Sequence, residues 1–312
     1  MCRGERGEQT VEVEFRLLGP VEVSVAGRTA TPAEPRQRAV LAALVVHAGW
    51  TVSTETLIDR VWGDRPPAQG RRTLHTHLSR LRALLDGPGR GSAPPRPVRD
   101  AGGYRLAVLP EQVDLHRFHK STTRARDAGM SPRERAEVLR TALALWRGEA
   151  LAGLSGSWVE GQRRAWAQDR LTATLTWAEA ETQAGEAEAI LGPLAQLLAE
   201  QPLVEPAVAL LMRALASVGR TADALDQFHR TRRHLREELG SEPGPELRAV
   251  QRLPLHGARH VAASVLGDLG VPDVAVAAWL GQATVATTRG YQHVMRDRLV
   301  EAAGQLGDAL TG

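Results

Sequence analysis

The sequence predicts a mainly α-helical chain whose β-structure is confined to roughly the first third. Three observations carry this reading. Apolar and polar residues alternate from Val11 to Val25, the period of a half-buried strand. Between Pro35 and Leu85 apolar residues recur every three or four positions, the period of an amphipathic helix. From Val113 to about Leu247 the chain is rich in Ala, Leu and Arg, keeps helical spacing, and is punctuated by Gly and Pro.

Composition sets the outer bounds. A chain of 312 residues holds two or three domains, and 43% hydrophobic with 24% charged residues is ordinary for a soluble globular protein. Aromatic residues make up only 4%, so the cores are built from Leu, Ala and Val. Cys2 is the single cysteine, which excludes an internal disulfide and a cysteine-based zinc site. There is no signal-peptide or membrane-span pattern, so a cytoplasmic location without membrane contact is expected. Net charge is +3, but Arg60 to Arg105 carries ten Arg against Asp64, Asp86 and Asp100, a local +7. A basic segment on a chain otherwise slightly acidic points to a local polyanion contact. No P-loop, phosphoacceptor receiver or metal-ligand cluster is present in the sequence, so neither cofactor nor metal is expected.

Taken in order, residues 1–10 are polar and Gly-rich and read as a disordered tail. Val11-Glu12-Val13-Glu14-Phe15 and Val21-Glu22-Val23-Ser24-Val25 read as strands of a small antiparallel sheet, with turns at Gly19-Pro20 and Ala26-Gly27-Arg28. Pro35 to His47 is helical, with Val40, Leu41, Leu44 and Val45 on its apolar face, and Gly49 ends it. Val52-Ser53 is extended, and Ser53 or Thr54 caps a helix from Glu55 to Trp62. Gly63 to Pro67 is a loop. Arg71 to Leu85 is a third helix with Leu74, Leu78, Leu81 and Leu85 in one stripe. At 100° per residue Arg72, Thr76, Ser79 and Ala83 fall opposite that stripe, with Thr73, His75 and Arg80 on its flanks. Hydroxyl, imidazole and guanidinium groups are those that contact phosphates and base edges; the alternative is a plain amphipathic helix with a solvated basic face. Gly87 to Pro97 is a Gly/Pro-rich connector, and Val98 to Leu106 reads as a hairpin turning at Gly102-Gly103.

Four separated motifs in this order carry a resemblance: Phe15 to Pro20, Leu57 to Gly63, Thr73 to Arg82, and Gly103-Tyr104-Arg105-Leu106. Residues 11–108 resemble an OmpR-type winged-helix DNA-binding domain, as found in the Streptomyces antibiotic regulatory protein family of transcriptional activators. The resemblance implies that the third helix is a recognition helix entering the major groove. It implies that residues 98–106 form the wing, with Arg99 and Arg105 near phosphates or a minor groove. The expected DNA-binding residues are therefore Arg71, Arg72, Thr73, His75, Thr76, Ser79, Arg80, Arg82, Arg99 and Arg105.

The second region continues the helical pattern. Ala136 to Trp146 and Val159 to Ala184 are amphipathic, and Pro206 to Val218 with Thr221 to Leu239 forms a helix pair about the length of a tetratricopeptide repeat. Such pairs cover their apolar faces only by stacking on neighbours. Ala144 to Gly148, Glu205-Pro206, Leu211 to Leu215, Gly219-Arg220, Ala224-Leu225 and Glu238 to Leu247 resemble the bacterial transcriptional activation domain that follows the winged helix in the same regulators. That implies a tetratricopeptide-like domain over 111–253, with oligomerisation and contact with RNA polymerase as its roles.

After Leu255 the pattern changes. His256-Gly257-Ala258-Arg259-His260, Trp279-Leu280-Gly281-Gln282 and Thr288-Arg289-Gly290-Tyr291 resemble the C-terminal end of phage-integrase tyrosine recombinases over a short helical fragment, 256–312. The resemblance implies Arg259 as phosphate clamp, Tyr291 as nucleophile and His256 as acid/base or positioning group. Gln282 replaces the usual His or Trp, and the family's upstream Arg and Lys have no counterpart in this chain. Phosphoryl transfer needs the whole constellation, so the fragment is expected to be inert and the chain not to be an enzyme.

The function expected is a sequence-specific, double-stranded-DNA-binding transcription activator of biosynthetic, secondary-metabolite genes, a homodimer on DNA, cytoplasmic and nucleoid-associated. The competing readings are DNA integration or recombination through Tyr291, and a protein-binding scaffold whose winged helix has lost its DNA contacts.

Overall fold

The computed structural model describes residues 13–25, 28–86 and 95–252. The tail at residues 1–10, most of the 87–97 connector, and the recombinase-like fragment with His256, Arg259 and Tyr291 lie outside the described residues. Contacts divide the chain into two compact units, the first running to Ala180 and the second from Glu181. The boundary expected from sequence at 108–111 falls inside the first unit.

The first unit opens with β1 (Val13–Arg16), β2 (Glu22–Val25) and β3 (Arg28–Ala30), an antiparallel sheet in that order. Phe15 pairs with Val23 and Val13 with Val25, which puts these apolar members of the alternation on one face, where Val13, Phe15 and Val23 are buried and Val25 is half-buried. The sequence reading ended the sheet at a turn reaching Arg28; Arg28 instead starts a third strand, paired with Val25.

Helix α1 (Pro35–Val45) starts with proline at its first turn, where no intrahelical donor is lost. Every residue from Ala39 to Val45 is buried, not only the stripe that periodicity marked. Helices α2 (Thr54–Trp62) and α3 (Gly70–Leu85) and a strand, β6 (Gly103–Leu106), all pack on α1, and its small Ala residues admit them. Strands β4 (Val52–Ser53), β6 and β5 (Pro97–Asp100) form a second antiparallel sheet in the order β4-β6-β5. Sheet, three helices and hairpin therefore follow the predicted order. The Ser53 hydroxyl accepts from the Thr56 N–H at 3.0 Å and caps α2.

The chain then enters α4 (Asp114–Arg124) and α5 (Pro132–Leu143), packed on each other, and α6, a helix spanning Ser157–Gln183. Helix α5 begins with Ser131 and Glu134 in a reciprocal cap. The predicted helix through Trp146 stops at Leu143 because the backbone leaves to dock on the first sheet. Arg147 N–H donates to the Leu18 carbonyl at 2.8 Å, Leu151 N–H to Leu17 at 3.0 Å and Ala152 N–H to Gly19 at 3.1 Å. The Arg163 guanidinium on α6 donates to the carbonyls of Ala150, Leu151 and Leu154 and holds this segment from behind.

In the second unit α8 (Glu205–Ser217) is the central element, with Ala207 to Met212, Ala214 and Leu215 buried. Helices α7 (Leu191–Glu200), α9 (Thr221–Leu239) and α10 (Pro245–Arg252) all pack on it. The α8–α9 pair is the tetratricopeptide-like hairpin that the sequence predicted. Among the described residues no helix is long and apolar enough to cross a membrane.

Candidate DNA-binding face

Helix α3 is placed by its leucines. Leu74, Leu78 and Leu81 are fully buried and Leu85 nearly so, each contributing about 1.5–3 kcal/mol of burial. They seat α3 on α1 and α2, and the Arg36 guanidinium on α1 donates to the Val61 carbonyl at the end of α2. With that stripe inside, helical geometry turns Arg72, His75, Thr76, Ser79, Arg80 and Ala83 outward, and all six are exposed. Thr73 is half-buried; its hydroxyl donates to the Gln69 carbonyl at 3.2 Å, and that of Thr76 to the Arg72 carbonyl at 3.1 Å.

The arginines around this face divide into two kinds. Arg72 and Arg99 are exposed, and among the described residues the Arg72 guanidinium meets only the Gln69 amide oxygen, at 3.4 Å. Arg71, Arg80 and Arg105 each meet a carboxylate: Arg71 lies 2.5 Å from Glu55, Arg80 pairs with Glu34, and Arg105 lies 3.6 Å from Asp100. Arg82 belongs to neither kind. It is half-buried and its Nε donates to the Pro97 carbonyl at 2.8 Å, tying α3 to β5. In a backbone tie it is spent on building the face.

The hairpin β5–β6 is tied down at its turn. Gly102 sits at φ +78°, where a side chain is disfavoured, and a Cβ on Gly103 would stand 2.1 Å from the Val52 carbonyl oxygen. The Asp100 carboxylate accepts from the Thr51 hydroxyl at 2.7 Å and the Ala101 N–H at 2.8 Å. The Thr51 bond first, then that from Ala101, holds its pKa below the usual carboxylate value. Val98 pairs with Arg105 and Arg99 with Tyr104, so the two arginines emerge on opposite faces of the hairpin.

His77 received no role from sequence. It is 7% exposed, beside the Trp62 ring and 3.7 Å from Glu34, and burial pushes its pKa down. Glu34, Glu55 and Asp100 likewise received no binding role from sequence. Among the described residues there is no cluster of side chains fit to hold a metal ion.

Helix α2, the α2–α3 turn, an outward polar α3 and a hairpin beside it are the parts of a winged helix–turn–helix. Residues 28–106 match the family described as transcriptional regulatory protein, C terminal, and residues 113–253 match the bacterial transcriptional activator domain. The transcriptional regulatory protein EmbR of Mycobacterium tuberculosis is 34% identical over 302 residues, covering 91% of this chain and 77% of EmbR. The chain belongs to the Streptomyces antibiotic regulatory protein family of transcriptional regulators. The regulatory protein AfsR of Streptomyces coelicolor is 38% identical over 250 residues, 78% of this regulator but only 24% of AfsR. A solved structure of Mycobacterium tuberculosis EmbR, in complex with a low affinity phosphopeptide, superposes with a TM-score of 0.71 at 34% identity. It covers 79% of this regulator, which spans 65% of that EmbR chain. The fold of the regulator is thus a winged helix followed by a tetratricopeptide-like helical domain.

Proposed function

We propose that this regulator binds duplex DNA site-specifically through α3 in the major groove, with the β5–β6 wing against the backbone, and activates biosynthetic, secondary-metabolite genes. The observation that carries the reading is the division of α3: four leucines inside, and Arg72, His75, Thr76, Ser79 and Arg80 outside beside a braced hairpin. Base-edge contacts come from such a face and phosphate contacts from Arg72 and Arg99. The protein acts as a homodimer on DNA, contacts RNA polymerase through its helical domain, and works in the cytoplasm on the nucleoid. It is not an enzyme. The recombinase reading of His256, Arg259 and Tyr291 rests on their sequence alone, and a fragment lacking the upstream clamp leaves DNA uncut.

The test is an electrophoretic mobility shift of genomic duplex fragments with the full chain, its Arg72→Ala and Tyr291→Phe variants, and denaturing gels in parallel. A competed, site-specific shift is expected, weakened by Arg72→Ala on all duplexes alike, with a salt slope lower by about 1, and unchanged by Tyr291→Phe. A denaturant-resistant adduct lost in Tyr291→Phe would make the chain a recombinase. Absence of any shift would favour the scaffold.

A further inference from the structure

Arg71 and Arg80 lie on α3 and Arg105 on β6, and their carboxylates come from three separate places in the fold. Glu34 immediately precedes α1, Glu55 lies in the first turn of α2, and Asp100 ends β5 at the turn of the hairpin. Glu34 and Arg80 are 46 residues apart in sequence, and Glu55 and Arg71 are 16 apart. The carboxylates are well exposed, Glu34 at 48%, Glu55 at 64% and Asp100 at 45%. Exposed ion pairs add little to stability, so stability does not explain why three of the arginines expected to bind DNA are paired. Asp100 is moreover held by Thr51 and Ala101 whatever Arg105 does.

Their position has a direct consequence for a polyanion. Non-specific DNA affinity comes almost wholly from cations meeting phosphates. A phosphate approaching Arg71, Arg80 or Arg105 must compete with a carboxylate already there and is repelled by it. A cognate site offers base-edge contacts in addition, and a guanidinium held by its carboxylate is already oriented for them. We propose that Glu34, Glu55 and Asp100 are specificity-determining residues, carboxylates that withhold Arg80, Arg71 and Arg105 from indiscriminate phosphate contact and leave that contact to Arg72 and Arg99, which meet no carboxylate among the described residues. This rests on the DNA-binding reading above.

The experiment measures binding of the full chain to two labelled probes by fluorescence anisotropy across a salt series. One probe is a random-sequence duplex, and the other is the genomic fragment giving the strongest competed shift. The variants are Glu34→Gln, Glu55→Gln, the triple variant with Asp100→Asn, and Glu237→Gln on α9 as a control of equal charge change. Each substitution at the face should raise random-duplex affinity about two- to fivefold. It should steepen the plot of log affinity against log salt by about 0.9 per arginine released. Affinity for the genomic fragment should rise less, so that the specificity ratio falls, most in the triple variant. Face variants binding random duplex with unchanged affinity and slope, or a Glu237→Gln effect of equal size, would overturn the proposal while leaving DNA binding intact. A wild-type chain that binds neither duplex would remove the DNA-binding reading itself, and this inference with it.

Discussion

Asp114 is 1% exposed, yet it is the residue on which the start of the helical domain hangs. Its carboxylate accepts from the backbone N–H groups of Leu17 at 2.8 Å, Leu18 at 3.0 Å and Leu115 at 2.7 Å, and Arg147 stands 3.7 Å away. Burial raises its pKa, while the bonds from Leu18, Leu17 and Leu115 and the charge of Arg147 pull the other way. Arg147 reaches on to Glu22 at 2.7 Å and to the Pro20 carbonyl at 3.3 Å. Two residues of the activator domain thus pin the connection between β1 and β2. Asp114→Ala strands three buried donors and should cost about 3–5 kcal/mol. Urea denaturation should show it as a lowered midpoint, and an unchanged midpoint would deny Asp114 this role. The sequence reading opened its second region at Val113-Asp114-Leu115 but had no means of seeing the partners, which lie 96 and 97 residues back.

At the scale of elements, the wing depends on close backbone approach. Gly103 pairs with Ser53 in the β4–β6 ladder, and a side chain there would collide with the Val52 backbone. Gly103→Ala should separate β4 from β6, destabilise the first unit by about 2–3 kcal/mol and weaken DNA binding, since the hairpin is no longer braced. Thermal melting and the mobility shift would report both effects; a variant with wild-type melting would show that the strands yield without cost. The run Glu238 to Leu247, the most distinctive stretch of the helical region in sequence, proves to be a packing device. Glu242 accepts from Arg232 at 2.9 Å and Arg236 at 2.6 Å, and Gly244 N–H donates to Glu205 at 2.6 Å. It returns the chain from α9 to α8 and starts α10 there. Periodicity located these helices to within a few residues, because an amphipathic stripe is a local property. It placed the end of α5 three residues late, since Ala144 to Trp146 leave the helix under the pull of a sheet that no local pattern contains.

At the scale of the molecule, the first unit carries a pH dependence set by three imidazoles, His77 buried and His47 and His116 half-buried. His47, His77 and His116 all have pKa values lowered chiefly by burial. For a base held neutral in the folded state, the unfolded chain binds the proton first as pH falls, so stability is present above the ordinary histidine value of about 6.5 and is lost below it. Glu14 has a lowered pKa, with burial opposing its bonds to Arg16 and Arg117, so its contribution is lost only in more acid solution. The melting temperature should therefore fall between about pH 7.5 and 5.5, and a flat profile over that window would contradict the sheltered placement of these rings. The order of elements, the leucine stripe of α3 and the outward residues opposite it were legible in the amino-acid pattern, because each follows from spacing along one helix or strand. Packing sets which outward arginines meet a carboxylate, ties Arg82 to Pro97, and keys the activator domain into the β1–β2 connection through Asp114 and Arg147. The physical reason is that spacing fixes the direction in which a side chain leaves its own helix or strand, whereas its partner is set by which distant segment the packing brings within hydrogen-bond reach.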